Sequence, residues 1–334
     1  MYIVWRIYEH AAETFSPPRV RPGLNFLSAT GPKVSIVIPV YNGADFLRGA
    51  IESALAQTYR DIEILVVDDG SDDGGRTQAI AESFGDKIRH FRKEHGGIAA
   101  TLNFGIGKMT GDYFSWLSHD DEYYPEKIAR QVDFLKSLGR PAVVYGDYDL
   151  ISGRGIILSR VRGIGLKPGH LRYHLCTGRP VHGCTLLIPK PYLAEFGLFD
   201  EKASSTQDYD LWFLMAGKYD FDYLPVPLAR LRVHQQQGSA RREHRLDAAE
   251  MAARFLRALE ADDRLPPDER AELLLMVACR LRKKRYFAPS ELAYRMSQAL
   301  RPALQTRVRY RIHSLLDPVV WLRYQLLSIV RRFA

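Results

Sequence analysis

The 334-residue sequence predicts an α/β domain on a mostly parallel, twisted, Rossmann-like sheet with flanking helices, followed by a helical C-terminal region. Near-continuous runs of β-branched and apolar residues alternate with stretches in which apolar residues return every three or four positions. The runs stop abruptly in turns rich in carboxylates. The alternation holds from residue 33 to 140, as a right-handed parallel sheet requires.

Residues 1–32, with Ser16-Pro17-Pro18 and Arg21-Pro22-Gly23, read as an N-terminal extension. Val34-Ser-Ile-Val-Ile-Pro39-Val40 suits a strand covered on both faces, with Pro39 toward its end. Leu47, Ala50, Ile51, Ala54 and Leu55 then mark one buried helix face. Ile62 to Val67 repeats the strand signal and ends in Asp68-Asp69-Gly70-Ser71-Asp72-Asp73. Lys87 to Phe91 is a short strand, and Ile98, Leu102 and Ile106 form a helical stripe after Gly96-Gly97. Tyr113 to Leu117 runs into Ser118-His119-Asp120-Asp121. Pro125 opens the next helix, Ile128, Val132, Leu135 and Leu138 carry its buried face, and Gly139 stops it. From 141 to 238 the rhythm is mixed, with strands expected at Ala142–Tyr145, Gly155–Leu158, Thr185–Ile188 and Phe221–Leu224, and a helix over 208–216. Residues 239–334 read as helical, Met251–Leu259 and Ala271–Leu281 being separated by Pro266-Pro267.

Composition narrows the function classes. The 46% hydrophobic content excludes disorder, collagen and coiled coil as descriptions of the whole chain. Three cysteines without a CxxC spacing speak against a disulfide framework or structural zinc site and for a reducing, cytoplasmic compartment. Met1-Tyr-Ile-Val-Trp5 is too short an apolar run for a signal peptide, and no apolar run reaches the length of a spanning helix. A net charge of +8 favours anionic partners, but no nucleic-acid-binding motif accompanies it. Gly105-Ile-Gly107 lacks the third glycine of a dinucleotide fingerprint, and there is no P-loop.

Ligands of open α/β sheets bind beyond the carboxyl ends of the strands. Asp68 and Asp69 follow the second strand and Asp120 and Asp121 the fourth, so folding should gather them in one cleft. An Asp after a strand is also an ordinary turn former or N-cap. Two such clusters at equivalent ends suit Mg²⁺ or Mn²⁺ bridging protein to a diphosphate.

Val34 to Asn42, Gln57-Thr58-Tyr59, Val66-Val-Asp-Asp-Gly-Ser71 and Ser118-His-Asp-Asp-Glu-Tyr-Tyr-Pro-Glu-Lys127 together resemble the family 2 inverting glycosyltransferases of the GT-A fold, over residues 33–235. The resemblance implies a glycosyltransferase domain over 33–238, with a nucleotide-binding half (33–140) and an acceptor half (141–238). It implies a nucleotide-sugar donor, a UDP-sugar above others, a Mn²⁺ or Mg²⁺ ion, a glycan or lipid-linked acceptor in cell-surface polysaccharide synthesis, and inversion. On this reading Pro39 and Tyr41 match the first nucleotide-binding strand end, with Tyr41 near the base, Asp69 contacts the base or ribose and Asp68 supports its turn. Asn103 stands beside the donor, with a solvated helix position as the alternative. Asp120 keeps the metal-binding place, while Ser118 and His119 replace the first part of the usual acidic motif and are left to bind ribose. Asp208, in Gln207-Asp208, matches the family's base, with Asp210 the runner-up and an N-cap the structural alternative. Arg232 matches a phosphate contact and His234 a metal or diphosphate ligand; His182 and Asp121 are weaker acceptor-side candidates.

In the tail, Val319 to Phe333 mixes apolar residues with Arg323, Arg331 and Arg332. Residues 300–334 read as an interfacial helix on the anionic inner face of the plasma membrane, with docking on the domain or a homodimer contact as alternatives. The rival functions are a degenerate nucleotide-binding or scaffold member of the same fold, and a sugar-phosphate nucleotidyltransferase. The latter calls for a Gly-rich, Lys-containing loop after the first strand, which Tyr41-Asn42-Gly43-Ala44 is not.

Overall fold

A computed structural model describes residues 31–178, 181–203, 205–234, 242–302 and 310. The extension over 1–32, save its last two residues, and most of the tail over 300–334 lie outside the described residues.

The first half runs β1 (Val34–Val40), α1 (Leu47–Leu55), β2 (Ile62–Asp68), α2 (Arg76–Glu82), β3 (Arg89–Arg92), α3 (Gly97–Lys108), β4 (Tyr113–Trp116), β5 (Glu122–Tyr123) and α4 (Lys127–Leu138). The second half runs β6 (Val143–Ser152), β7 (Ile157–Val161), α5 (Leu171–Leu175), β8 (Ile188–Pro189), α6 (Lys190–Glu195), α7 (Gln207–Met215) and β9 (Phe221–Val233). Helices α8 (Arg242–Glu260), α9 (Pro267–Lys283) and α10 (Phe287–Leu300) follow.

The main sheet has the order β3-β2-β1-β4-β8, parallel except for β8. Its apolar strands are buried on both sides because helices cover both faces. Val34, Ile36 and Ile38 pack with Leu47 and Ile51 of α1 and with Ile128 and Val132 of α4. Val37, Leu65 and Val67 belong instead to the cluster of Leu102 and Ile106 of α3, which extends to Trp212 and helices α8 to α10. This matches the α/β class with a helical C-terminal region.

The mixed half differs from expectation in strand length. The strand expected at Ala142–Tyr145 continues to Ser152, and the one at Phe221–Leu224 continues to Val233, because the two pair in parallel over most of their length. They form a second sheet of order β5-β9-β6-β7. Thr185–Ile188 is not one strand: Gly183–Thr185 is a 3₁₀ turn, and only Ile188–Pro189 pairs with β4.

A buried lysine joins the halves. Lys127 is 0% exposed, and its Nζ donates to Ser115 Oγ (2.8 Å), Gln131 Oε1 (2.8 Å) and the Leu186 carbonyl (3.3 Å). Gln131 in turn donates to the Thr185 carbonyl at 2.8 Å. Burial lowers the Lys127 pKa to about 7.

Candidate active site

The strand order positions the site. From β1 the chain passes to β2 and β3 on one side and then crosses to β4 on the other, so the order reverses at the crevice between β1 and β4. The turns after β1 and β2 are sewn together there. Asn42, with a φ of 49°, gives its backbone N–H to the Ser71 hydroxyl (2.9 Å) and its amide to Asp72 (2.6 Å), and the Asp72 N–H returns a bond to Asn42 Oδ1 (2.9 Å). The turns after β1 and β4 meet at Gly43, where a Cβ would lie 2.4 Å from His119 Cδ2. Only glycine admits the imidazole at that distance.

Asp68 is fully buried; Oδ1 accepts the Ser71 N–H at 2.8 Å, and Arg92 Nε stands 3.9 Å from Oδ2. Asp69, 3% exposed, accepts from Lys93 Nζ (2.6 Å) and from the amides of Gly96 (3.0 Å) and Gly97 (2.8 Å), with His95 Nδ1 3.0 Å from Oδ2. The two amides open α3, the positive end of that helix dipole. Burial acts to raise the Asp69 pKa, but Lys93 and the amides outweigh it and hold the carboxyl below its ordinary value. Both oxygens of the Asp69 carboxylate therefore accept bonds from within the protein. What lies open beside it is Tyr41, 40% exposed, whose ring centroid is 4.3 Å from that of His95. Pro39 sits inside β1, opposite Val67.

On the β4 side, Asp120 Oδ2 lies 2.9 Å from His234 Nε2, at the exit of β9. Arg232 faces inward. Its Nε donates to the Asp120 carbonyl (3.0 Å), Nη1 to the carbonyls of Ser152 (3.2 Å) and Gly153 (2.9 Å), and Nη2 to Glu122 (2.6 Å). Asp121 faces inward too, accepting the Arg232 backbone N–H (2.9 Å) and the Cys184 thiol (3.3 Å). Burial, with the neighbouring Asp120 charge adding to it, lifts the Asp121 pKa well above the ordinary range. Arg232 and Asp121 thus bond within the protein, and both fix the backbone that carries Asp120.

Ser118 Oγ is 3.4 Å from Cys184 Sγ. His119 is half-buried; burial lowers its pKa, against the pull of Asp120. Among the described residues, no group of three or more His, Cys, Asp or Glu side chains is placed to hold a metal ion. The Asp120–His234 pair offers a carboxylate oxygen and an imidazole nitrogen, a set that suits Mn²⁺. A two-ligand protein site fits an ion whose other positions are filled by substrate phosphates and water.

The acceptor-side candidates converge on the 181–185 segment. His182 packs its ring 5.3 Å from Tyr148, and its Nδ1 accepts the Cys184 N–H at 3.3 Å. Burial lowers the His182 pKa to about 4, against the opposing Asp120 charge, so the imidazole is neutral at pH 7. Tyr209 donates its hydroxyl to the Val181 carbonyl (3.1 Å), bringing the start of α7 to this segment. Two acids there have different fates. Asp210 accepts two bonds from Arg254 Nη2 (2.7 and 2.9 Å) and one from the Thr206 hydroxyl (2.9 Å). Asp208 accepts the Tyr209 N–H (2.9 Å) and, among the described residues, forms no ion pair. Burial raises the Asp208 pKa to about 6, with the Tyr209 amide opposing and Asp210 adding to the rise.

Asn103 lines a cavity together with Gln207, Asp210 and Leu214. Its amide donates to the Phe199 carbonyl (2.9 Å) and Glu201 (2.9 Å), and its Oδ1 accepts the Phe199 N–H (3.0 Å), stapling α3 to a segment 96 positions away. Asn103→Ala should cost about 2 kcal/mol of stability by leaving these partners unpaired, with donor affinity unchanged. Chemical denaturation and donor titration check this; lost affinity at full stability would restore the residue to the donor site. Sequence reasoning missed Lys93, His95, Asn42 and Asp72. The polar stretch before Gly96-Gly97, at a strand-to-helix turn, was the available signal for the first two.

Residues 35–185 match glycosyl transferase family 2. A protein of Rickettsia bellii named an uncharacterized glycosyltransferase is 44% identical over 261 residues, 75% of this chain but 37% of its own length. The chain thus spans well under half of that relative. A second, from Rickettsia prowazekii and similarly named, is 41% identical over 279 residues, covering 80% of this chain and 85% of its own. Among solved structures, the mannosyltransferase PcManGT from Pyrobaculum calidifontis, in complex with GDP-Man and Mn²⁺, aligns with a TM-score of 0.52 at 17% identity over 94% of this chain and 91% of its own. That likeness is one of fold.

Proposed function

We propose, from the premise that this chain belongs to glycosyl transferase family 2, that it moves a sugar from a nucleotide-diphosphate donor to a hydroxyl of a glycan or lipid-linked saccharide, with inversion. The observation that carries the reading is Asp208, an acid kept out of the Arg254 ion pair and lifted to about 6 beside the 181–185 segment. Inversion takes a single displacement. The acceptor oxygen forms a bond to the anomeric carbon, the bond to the diphosphate oxygen breaks, and the acceptor's proton passes to Asp208.

The other residues bind and orient. The Tyr41–His95 pair offers the base an aromatic surface, and Asp69 holds the Lys93–Gly97 turn against which the nucleoside lies. Asp120 and His234 would hold a divalent cation, which supplies charge neutralisation for the departing diphosphate. Arg232 and Asp121 keep Asp120 in place, and neutral His182 lines the acceptor side. We assign the work to the cytoplasmic face of the membrane and to cell-surface polysaccharide synthesis, with residues 300–334 contributing contact. No described helix is long and apolar enough to cross a membrane.

A panel of nucleotide sugars, scanned by thermal shift with and without Mn²⁺, tests the reading. A donor that binds only the folded chain at a hundred times its Kd adds about 2.7 kcal/mol of stability, which is a rise of several degrees. No response to any nucleotide sugar would overturn the proposal.

A further inference from the structure

Beside the site lies the β6–β7 hairpin, whose strands pair antiparallel. Ile156, Ile157 and Leu158 are consecutive aliphatic residues, exposed by 64%, 56% and 55%. Both faces of the strand are therefore open at this point, since neighbouring strand residues point opposite ways. Ile164, 40% exposed, follows on the same arm. β7 is the last strand of its sheet, and among the described residues nothing pairs with its outer edge. An exposed apolar edge of this kind is an aggregation liability unless a partner or charge accounts for it.

The acids that adjoin the hairpin, Asp147 and Asp149, are buried. Arg154 and Arg162 are exposed on either side of the aliphatic run, and Arg160 reaches Asp149 at 2.8 Å. Between Asp149 and Glu195 the sequence contains no acid, and Lys167 adds a further exposed cation to Arg154 and Arg162. Aliphatic side chains at a tip with arginines at its flanks fit the boundary of an anionic bilayer, where the apolar groups enter the acyl region and the guanidinium groups meet phosphate. A protein partner or a second copy would require an acidic counterpart, which this stretch does not offer to itself.

We propose that the β6–β7 hairpin docks on an anionic lipid surface. The hairpin turn is tied to the site: the carbonyls of Ser152 and Gly153 accept from Arg232, whose Nε holds the Asp120 carbonyl. Docking therefore sets the crevice close to the bilayer, where a lipid-linked acceptor presents its hydroxyl. This last step alone rests on the transfer reading.

Sedimentation of the full chain with phosphatidylcholine vesicles, with and without phosphatidylglycerol, tests the proposal. Binding is expected with the anionic vesicles and should weaken about tenfold or more in two variants: Ile156→Ser with Ile157→Ser and Leu158→Ser, and Arg154→Ser with Arg162→Ser. Thermal melting and donor hydrolysis in vesicle-free buffer should be unchanged in both. The proposal is overturned if both variants bind as the parent does, including the case in which removing residues 300–334 alone abolishes binding. It is also overturned if the parent ignores anionic vesicles and the aliphatic variant merely dissociates a dimer. A parent that binds vesicles but turns over no donor would refute the transfer reading and leave the docking surface standing.

Discussion

Asp208→Asn is expected to lower sugar transfer by about a thousandfold, within the range that removal of a general base produces, while donor affinity stays at the parent value. The amide keeps the size and the bond from the Tyr209 N–H but cannot take a proton from the acceptor. The pH dependence supplies an independent readout. Burial raises the Asp208 pKa to about 6, so the base is ionised above that pH and protonated below it. The turnover rate of the parent should fall as pH drops through about 6, and the residual rate of the Asn variant should lose that limb. Asp210→Asn serves as the contrast. It breaks the ion pair with Arg254, so its main effect should fall on stability. Near-parent turnover in Asp208→Asn, with the acid limb intact, would remove this residue from the chemistry.

The second large effect is expected at Asp120. Asp120→Asn should reduce turnover by about a hundredfold or more, since charge stabilisation by a bound cation is worth several kcal/mol and each tenfold corresponds to about 1.4 kcal/mol. The variant should also lose the additional thermal stabilisation that Mn²⁺ gives in the presence of donor. The fold should tolerate the change, because Arg232 grips the Asp120 carbonyl rather than its carboxylate. Parent-like turnover and an undiminished Mn²⁺ response would separate Asp120 from the cation.

The parallel sheet was legible because β1 and most of β2 are buried on both faces and read as largely apolar runs, while α1 and α4 carry an apolar stripe. The lengths of β6 and β9 were not, because their outer portions alternate with polar residues and gain stability from pairing with each other across a large sequence separation. In the site, the residue types were legible and the directions were not. Asp120 and Asp121 are adjacent and chemically identical, yet one faces the crevice pair with His234 and the other accepts the Arg232 N–H inside the protein. For Arg232 and Asn103 the family resemblance implies a phosphate contact and a place beside the donor, and the structure adds internal hydrogen bonds to both. Their use as internal fasteners depends on carbonyls at 152, 153 and 199, which no side-chain pattern announces.

The lysine beneath the sheet also constrains how the chain acquires its shape. Lys127 and Gln131 belong to the segment that precedes residue 140, but they find carbonyl acceptors at Leu186 and Thr185. The amino-terminal portion emerging first from the ribosome would therefore hold the Lys127 amine without the full set of oxygens that later bonds it. Residues 33–140 produced alone would lack the Leu186 and Thr185 acceptors and are expected to be less stable than in the whole chain.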